Sequence, residues 1–492
     1  MRLSKLIETL DGEWIGAEES ELEIFSLTTD SRKRVKNSLF ICLKGGDFDG
    51  HDFAREAVKN GSIAIIAERK VDVKAPQFIV ADTREALAKL AAVYYGNPSK
   101  RLKIVGITGT NGKTTTARML AEILKYEGKE VGIIGTLGIE YGKKYKQASL
   151  TTPDPIELQQ TFSDMYASGV EYVVMEVSAH ALFFKKIEGI SFFACIFTNF
   201  TQDHLDFFKT MDAYKKAKLA LFGVERCPLA IVNGDEEVGR EIAALREKNG
   251  GKTLFYGMHN PADSFAIVTQ ENLRGSECML NLSDNLCRVS LSLTGLHNVY
   301  NALAAATCAM EIGVEPSTIA AGLTSLKGVR GRLERVGSIH GAEIYVDFAH
   351  TPDGLAKSLA ALKKHCQGRL ICLFGCGGNR DKIKRPFMGE TVAKLSDFAV
   401  LTSDNPRYED PLDIISDIEK GYRRFSARYV VVPDRKKAID YALDFVKKGD
   451  VFLVAGKGGE DYQEIMGIKY PFNDHTVIDE LLTEKKKNPF NG

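Results

Sequence analysis

The stretch GITGTNGKTTT, Gly106 to Thr116, has the residue types that hold a polyphosphate. Glycines let successive backbone N–H groups turn toward an anion, Lys113 can reach terminal phosphates, and the Thr114 hydroxyl can serve Mg2+. The spacing departs from the strict G-x-x-x-x-G-K-T form, because Ile107 stands where the first glycine belongs. The shorter form made by Gly109, Thr110, Asn111, Gly112, Lys113, Thr114 and Thr115 still lies between an apolar strand and an amphipathic helix, so ATP is the expected ligand. Glu176 closes EYVVME, where a carboxylate can attend the same Mg2+, although a lone strand-end Glu is more often a solvated residue or a cap. His180 and His204 follow strands of the same block. One His is usually a satisfied polar residue, and two beside a phosphate loop are harder to dismiss. Lys218, in AYKKAKLALF, reads by itself as part of an exposed basic helix with Lys215 and Lys216. Near the end of the chain SDNPRYEDP, Ser403 to Pro411, follows the run FAVLT. Pro406 fixes its own φ and restricts Asn405, so Asn405 and Arg407 leave the strand end in a narrow range of directions. Alone, Arg407 would be a surface turn arginine.

These residues need elements to hold them, and the pattern supplies strands alternating with helices. SLFICL, SIAIIAE and QFIVAD with the helical REALAKLAAVYYG make a first block, ending at the turn Gly96-Asn97-Pro98. LKIVGIT, EYVVMEVS and FFACIFTNF belong to a second block reaching about residue 330. LICLFG, FAVLTS, YVVV and VFLVAG form a third. Alternation of this kind predicts α/β domains with parallel sheets covered on both faces, and ligands at the carboxyl ends of strands. The terminal LLTEKKKNPFNG reads as a solvated, fraying tail.

A chain of 492 residues is too long for one ordinary core and should divide into about three domains. Lys+Arg and Asp+Glu balance at 65 each, which removes the electrostatic argument for nucleic acid or an acidic membrane and leaves small molecules as the expected partners. No apolar stretch has the length of a signal peptide core or a membrane span, so a cytoplasmic protein is expected. The 9 cysteines lie mostly in apolar runs with no CxxC pair, and Cys366, Cys372 and Cys376 are read as core thiols.

Taken in order, GTNGKTT, LTTPDP, MEVSAHAL, TNFTQDHLDFF, AYKKAKLALF, TGLHNVYNAL, GVRGRLERV, DFAHTPDGL, GCGGNRDKIKRP, SDNPRYEDP and AGKGGEDY closely resemble the Mur ligases. The match is to the MurE type, which adds the third amino acid to the UDP-N-acetylmuramoyl dipeptide of peptidoglycan, a step of cell wall biogenesis. The resemblance runs from TTDSR to residue 476. It implies a UDP-binding domain over 1–99, a P-loop ATP-binding domain over 100–331 and a Rossmann-like amino-acid-binding domain over 332–492, working as a monomer. Asp30 and Ser31, with Thr151, Thr152, Ser178 and Lys186, would meet the UDP-sugar dipeptide. Asn298, Asn301, Arg332, Asp347 and His350 would join the loop residues around ATP. Thr114 and Glu176 would attend one Mg2+; His204 and Lys218, the latter carbamylated to N6-carboxylysine, would attend a second. Catalysis would rest on Lys113, Glu176, His204 and Lys218.

By the same resemblance Arg380, Asp404, Asn405, Pro406, Arg407, Gly456 and Glu460 would bind the incoming amino acid. The D-N-P-R turn is the form associated with meso-diaminopimelate, which is lysine with a second carboxylate, and a guanidinium offers that carboxylate paired donors. A lysine-adding ligase on the same scaffold would leave Arg407 unpaired. A ligase like folylpolyglutamate synthetase shares the loop and the lysine but not this turn or TTDSR. A non-catalytic nucleotide sensor would be expected to lose Lys113, Glu176, His204 or Lys218, and all four are present. The sequence departs from the usual pattern at Ala179, Phe184, Lys186, His297 and Gly459, which puts contacts by Phe184 and Lys186 in question and opens space at Gly459.

Overall fold

A computed structural model describes residues 1–15, 21–46 and 48–487. The described chain divides into two compact units, one of residues 1–106, 130–195 and 220–228, the other of 107–129, 196–219 and 229–492.

In the first unit a sheet of five strands has the order Gly12–Ile15, Gln77–Val80, Ser62–Ala67, Ser38–Ile41, Ser26–Thr28. Its inner strands pair in parallel, as their continuous apolar runs predict, while Gly12–Ile15 closes one edge antiparallel. The expected helix is there as Thr83–Tyr94, begun by Asp82, whose carboxylate accepts the N–H groups of Arg84 and Glu85. It ends where expected, with Gly96 and Asn97 both at positive φ. Farther along this unit, Val131–Gly135 and Tyr172–Glu176 run parallel and fully buried.

In the second unit the strand Leu229–Asn233 pairs in parallel with Lys252–Gly257. Then comes an antiparallel meander, Ser264–Asn272, Gly275–Leu282 and Asn285–Leu291, where strand–helix alternation was expected. The sequence does carry its mark. Apolar and polar residues alternate through LNL and CRVSL, and between them Ser283 and Asp284 both take positive φ, the conformation of a tight hairpin turn.

The C-terminal sheet has six strands in the order Glu334–Ile339, Ala342–Asp347, Val451–Ala455, Leu370–Phe374, Phe398–Leu401, Tyr429–Val431. All pairings except that of the Glu334–Ile339 edge are parallel. Residues on its two faces build separate cores, one around Leu355, Leu359, Phe374 and Ile418, the other around Ile344, Ile439, Phe452 and Ile478. Four loops therefore leave the same edge of this sheet, after Asp347, Phe374, Leu401 and Ala455, and they carry most of the predicted amino-acid contacts. The terminal segment corrects the expectation of a tail: Asp474–Lys487 is a helix whose Val477, Ile478, Leu481 and Leu482 are buried, and residues 488–492 lie outside the described ones.

Candidate active site

The phosphate loop leaves the strand Lys103–Thr108 and enters the helix Lys113–Tyr126. Its glycines are required by space. A Cβ on Gly109 would lie 1.8 Å from Thr198 Oγ1, and one on Gly112 would lie 2.4 Å from Asn301 Oδ1, with φ at +88°. Residues just past the strand Ala194–Phe197 set the loop's shape. Thr110 N–H donates to the Asn199 carbonyl, Asn111 N–H donates to Asn199 Oδ1, and the Asn111 carbonyl accepts from Thr198 and Asn199. Asn111 Nδ2 also donates to Asp353 Oδ2 at 2.8 Å.

Lys113 folds back on its own loop, its ammonium 2.9 Å from the carbonyls of both Gly109 and Thr110. Lys218 Nζ reaches the same Gly109 carbonyl at 2.8 Å. The exposed-helix reading of Lys218 therefore fails: its side chain is buried, lies against Tyr214 and packs one helical turn from it, while Lys216 faces solvent. Burial first, and the Lys113 charge second, hold the Lys218 amine well below its ordinary pKa, despite the opposing pull of Asp203. Neutral amine is the form that can capture CO2.

Around the loop, Arg332 Nη2 donates to Thr114 Oγ1 at 2.9 Å and its guanidinium lies over the Phe348 ring. Thr116 donates to Asn301 Oδ1, Asn301 Nδ2 to Asn298 Oδ1, and Asn298 Nδ2 to the Thr294 carbonyl. Thr115 is buried in the first turn of the helix. Asp347 spends its carboxylate on Leu333 N–H, Ala349 N–H and the Ser358 hydroxyl, and burial raises its pKa. His350 donates through Nδ1–H to the Phe348 carbonyl at 2.9 Å. Its Nε2 lies 3.9 Å from Asp203 Oδ2, and His204 Nε2 lies 3.5 Å from the same oxygen. Asp203 is a buried carboxylate that sequence reading passed over in favour of its neighbour. Burial would raise its pKa, but the charges of His204 and His350 hold it below the usual range.

In the first unit Glu176 is buried and accepts Thr136 N–H and the Thr136 hydroxyl, one on each oxygen. Thr151 meets that same Thr136 hydroxyl at 3.1 Å. Thr152 donates to the Glu176 carbonyl and accepts Ser178 N–H, and Ser178 caps the short helix Ala179–Phe183. Lys186 is paired with Asp154 of LTTPDP at 2.7 Å, a partner not seen from the sequence. Phe184 lies under the Arg84 guanidinium. Asp30 accepts from Arg32, which lowers its pKa to about 2, and Ser31 donates to Glu56.

The predicted amino-acid residues come together in the C-terminal sheet's loops. Asn405 Nδ2 donates to Glu460 Oε2 at 2.9 Å, and its carbonyl accepts Gly378 N–H. A Cβ on Gly378 would stand 1.9 Å from the Pro406 carbonyl oxygen, and one on Gly456 would stand 2.6 Å from Asp404 Oδ2. Arg407, at φ +53°, exchanges two backbone bonds with the hairpin Tyr462–Ile465 and Ile468–Pro471. Its Nε pairs with Glu464 Oε2 at 3.1 Å and Nη1 donates to the Gly378 carbonyl at 2.8 Å, while Nη2 has no partner among the described residues. Arg380 is exposed and makes no ion pair or hydrogen bond among the described residues. Two cations thus flank the turn with donors to spare, and Glu460 contributes the anion.

Profiles of three Mur ligase domains cover most of the chain: the family's catalytic domain at residues 23–95, the middle domain at 107–309 and the glutamate ligase domain at 331–458. The chain belongs to the Mur ligase family. Among curated relatives of this Mur ligase, the UDP-N-acetylmuramoyl-L-alanyl-D-glutamate–2,6-diaminopimelate ligase of Bacillus velezensis is 40% identical, with 99% of this chain and 100% of that protein covered. The protein of the same name from Syntrophomonas wolfei is 42% identical over 98% of this chain and 100% of its own length. A solved structure of a ligase bearing that name matches with a TM-score of 0.71 at 29% identity, covering 99% of each chain. MurF of Thermotoga maritima, solved in complex with ADP, shares the fold with a TM-score of 0.62 at 23% identity, covering 94% of this chain and 98% of its own. The expected three-domain α/β ligase architecture is the one found.

Proposed function

We propose that this Mur ligase joins meso-diaminopimelate to the D-glutamate γ-carboxylate of UDP-N-acetylmuramoyl-L-Ala-D-Glu, consuming ATP, in cytoplasmic peptidoglycan precursor synthesis. The observation that carries the reading is the turn Asn405-Pro406-Arg407, held against Glu460 and Glu464 with a guanidinium nitrogen left for a ligand, in a chain matched end to end by ligases of that name. In this reading the domains run over 1–99, 100–331 and 332–492 and take the uridine nucleotide, ATP and the amino acid in turn, within a monomer. No helix among the described residues is long and apolar enough to cross a membrane.

The γ-carboxylate oxygen attacks the terminal phosphorus of ATP and ADP leaves, giving an acyl phosphate. The amine nitrogen of diaminopimelate then attacks the acyl carbon, phosphate leaves, and the nitrogen gives up a proton. Such transfer needs positioning and charge neutralisation more than a protein nucleophile. Lys113 leaves its two carbonyls for the phosphates, and Arg332 reaches Thr114 at the end of the same loop. Arg407 Nη2 takes the distal carboxylate, Arg380 the carboxylate beside the attacking amine, and Glu460 the distal ammonium.

No group of three or more His, Cys, Asp or Glu among the described residues forms a closed metal cluster. Thr114 carries a hydroxyl and Glu176 a carboxylate, hard oxygens of the kind Mg2+ prefers, and each would serve such an ion. His204 and Lys218 as a carbamate would hold a second ion, and the pair would supply neutralisation of phosphate charge. A neutral amine takes up CO2 with loss of one proton, so the depressed pKa of buried Lys218 favours the carbamate.

The test is phosphate release from ATP with the UDP-muramoyl dipeptide and meso-diaminopimelate, L-lysine or L-ornithine. Turnover with diaminopimelate alone is expected. Equal turnover with lysine would overturn the specificity, and no turnover with any of the three would overturn the reaction.

A further inference from the structure

The loop after the strand Val451–Ala455 carries a lysine that the reaction as described does not use. Lys457 is completely buried, and its ammonium has two acceptors, Asn405 Oδ1 and Glu460 Oε2, each at 3.0 Å. Burying an ammonium is costly, and an apolar side chain would fill the space more cheaply, so its contacts must account for it. Both of them are to residues of the amino-acid site.

Lysine can only donate hydrogen bonds. Its ammonium therefore dictates which end of the Asn405 amide faces it. Asn405 Oδ1 takes Lys457 on one side and Glu464 N–H at 2.9 Å on the other, which turns Nδ2 toward Glu460 Oε2 at 2.9 Å. Flipping the amide would set its NH2 against an ammonium and an N–H at once. Glu460 Oε2 is then filled by two donors, Lys457 and Asn405, while Oε1 carries no hydrogen bond among the described residues. The neighbouring Asp404 is governed by the same charge: burial would raise its pKa, but Lys457 and Arg435 outweigh burial and keep it ionised.

We propose that Lys457 is the positioning residue of the amino-acid site, locking the Asn405 amide and the Glu460 carboxylate so that Glu460 Oε1 is held out for the distal ammonium of the incoming diamino acid. The inference rests on the reading of this site given above. The Lys457 ammonium makes both of its hydrogen bonds to residues assigned to the amino acid, so its loss should be felt by one substrate only.

The experiment compares wild type with Lys457→Met, which keeps the stem and removes the charge, and with Lys457→Gln, which keeps a donor. Two readouts are taken: KM for diaminopimelate and for ATP in the full reaction, and hydroxamate formation when hydroxylamine replaces the amino acid. Hydroxylamine attacks the acyl carbon and phosphate leaves, so this second readout bypasses the amino-acid site. For Lys457→Met, KM for diaminopimelate should rise about 10- to 100-fold, the loss expected for charge-assisted hydrogen bonds, with Lys457→Gln intermediate. ATP KM and hydroxamate rate should stay at wild-type values. An unchanged diaminopimelate KM, or a hydroxamate rate falling in step with it, would overturn the role. If Lys457→Met does not fold, Lys457→Gln decides by the same comparison. Wild-type hydroxamate formation without turnover of diaminopimelate would instead refute the amino-acid assignment on which the role depends.

Discussion

Arg407 shows how far a single residue can be read. Alone it reads as a surface turn arginine, and only the resemblance to the Mur ligases implied a carboxylate ligand; the structure gives it a half-buried side chain paired with Glu464. The sequence did not reveal that Glu464 and the Gly378 carbonyl already hold two of its nitrogens, because those partners lie 57 and 29 residues away. That anchoring sharpens the consequence of mutation. Arg407→Lys should raise KM for diaminopimelate about 10- to 100-fold, since an ammonium cannot satisfy Glu464, Gly378 and a ligand in the same planar arrangement. KM for ATP should not change, and steady-state kinetics with each substrate varied in turn would check both. The stretch around Lys218, read by itself, pointed to an exposed lysine for a related reason. Three lysines in AYKKAKLALF look alike in sequence, and only the helical register that puts Lys218 on the Tyr214 face tells the buried one apart.

At the level of elements, the parallel strands were legible because both faces are buried and the runs are continuously apolar. The meander between Ser264 and Leu291 was legible only in its later strands, because in the first the alternation is broken by a register shift between Val268 and Gln270. The helix Lys384–Leu395 has an anchor that no local pattern announces. Arg385, buried at its start, pairs with Glu409 of the NPRYED turn and with Asp417 of the helix Pro411–Tyr422. This clamp fixes the far end of the turn that carries Asn405 and Arg407. Hydrogen bonding by Arg385 lowers the Glu409 pKa to about 2, from an ordinary value of 4.5. A carboxylate depressed on folding adds stability that is complete above its unfolded pKa and is lost as pH falls through the folded value. Glu409→Gln should therefore cost about 1–3 kcal/mol near neutral pH. The gap from wild type should close between pH 4.5 and about 2, as followed by urea unfolding across pH.

For the whole molecule, length and charge balance announced several domains and small-molecule partners, and the ordered motifs announced the family. Composition could not show how the last segment is used. LLTEKKK looks solvated because its lysines dominate, yet the helix Asp474–Lys487 seals one face of the C-terminal sheet with Val477, Ile478, Leu481 and Leu482. Its first residue, Asp474, makes a bidentate pair with Arg435, both side chains fully buried, and Arg435 also donates to the Ala455 carbonyl just before Gly456. Removing one partner of such a pair leaves an uncompensated buried charge. Asp474→Ala should lose about 3–5 kcal/mol in urea unfolding. Because Arg435 supports the strand end that leads to Lys457, diaminopimelate turnover should fail at a lower urea concentration than in wild type.

The turn Asn405-Pro406-Arg407 and the hairpin beyond it share a ladder only one residue deep. Arg407 N–H donates to the Glu464 carbonyl, Met466 N–H to the Arg407 carbonyl, and Glu464 N–H to Asn405 Oδ1. Three amide protons thus register whether turn, hairpin and Asn405 are engaged, and they are released to solvent together when the hairpin lifts. The protein carries its own label: slow deuterium uptake at these amides reports an assembled amino-acid site, with no substrate analogue or attached dye.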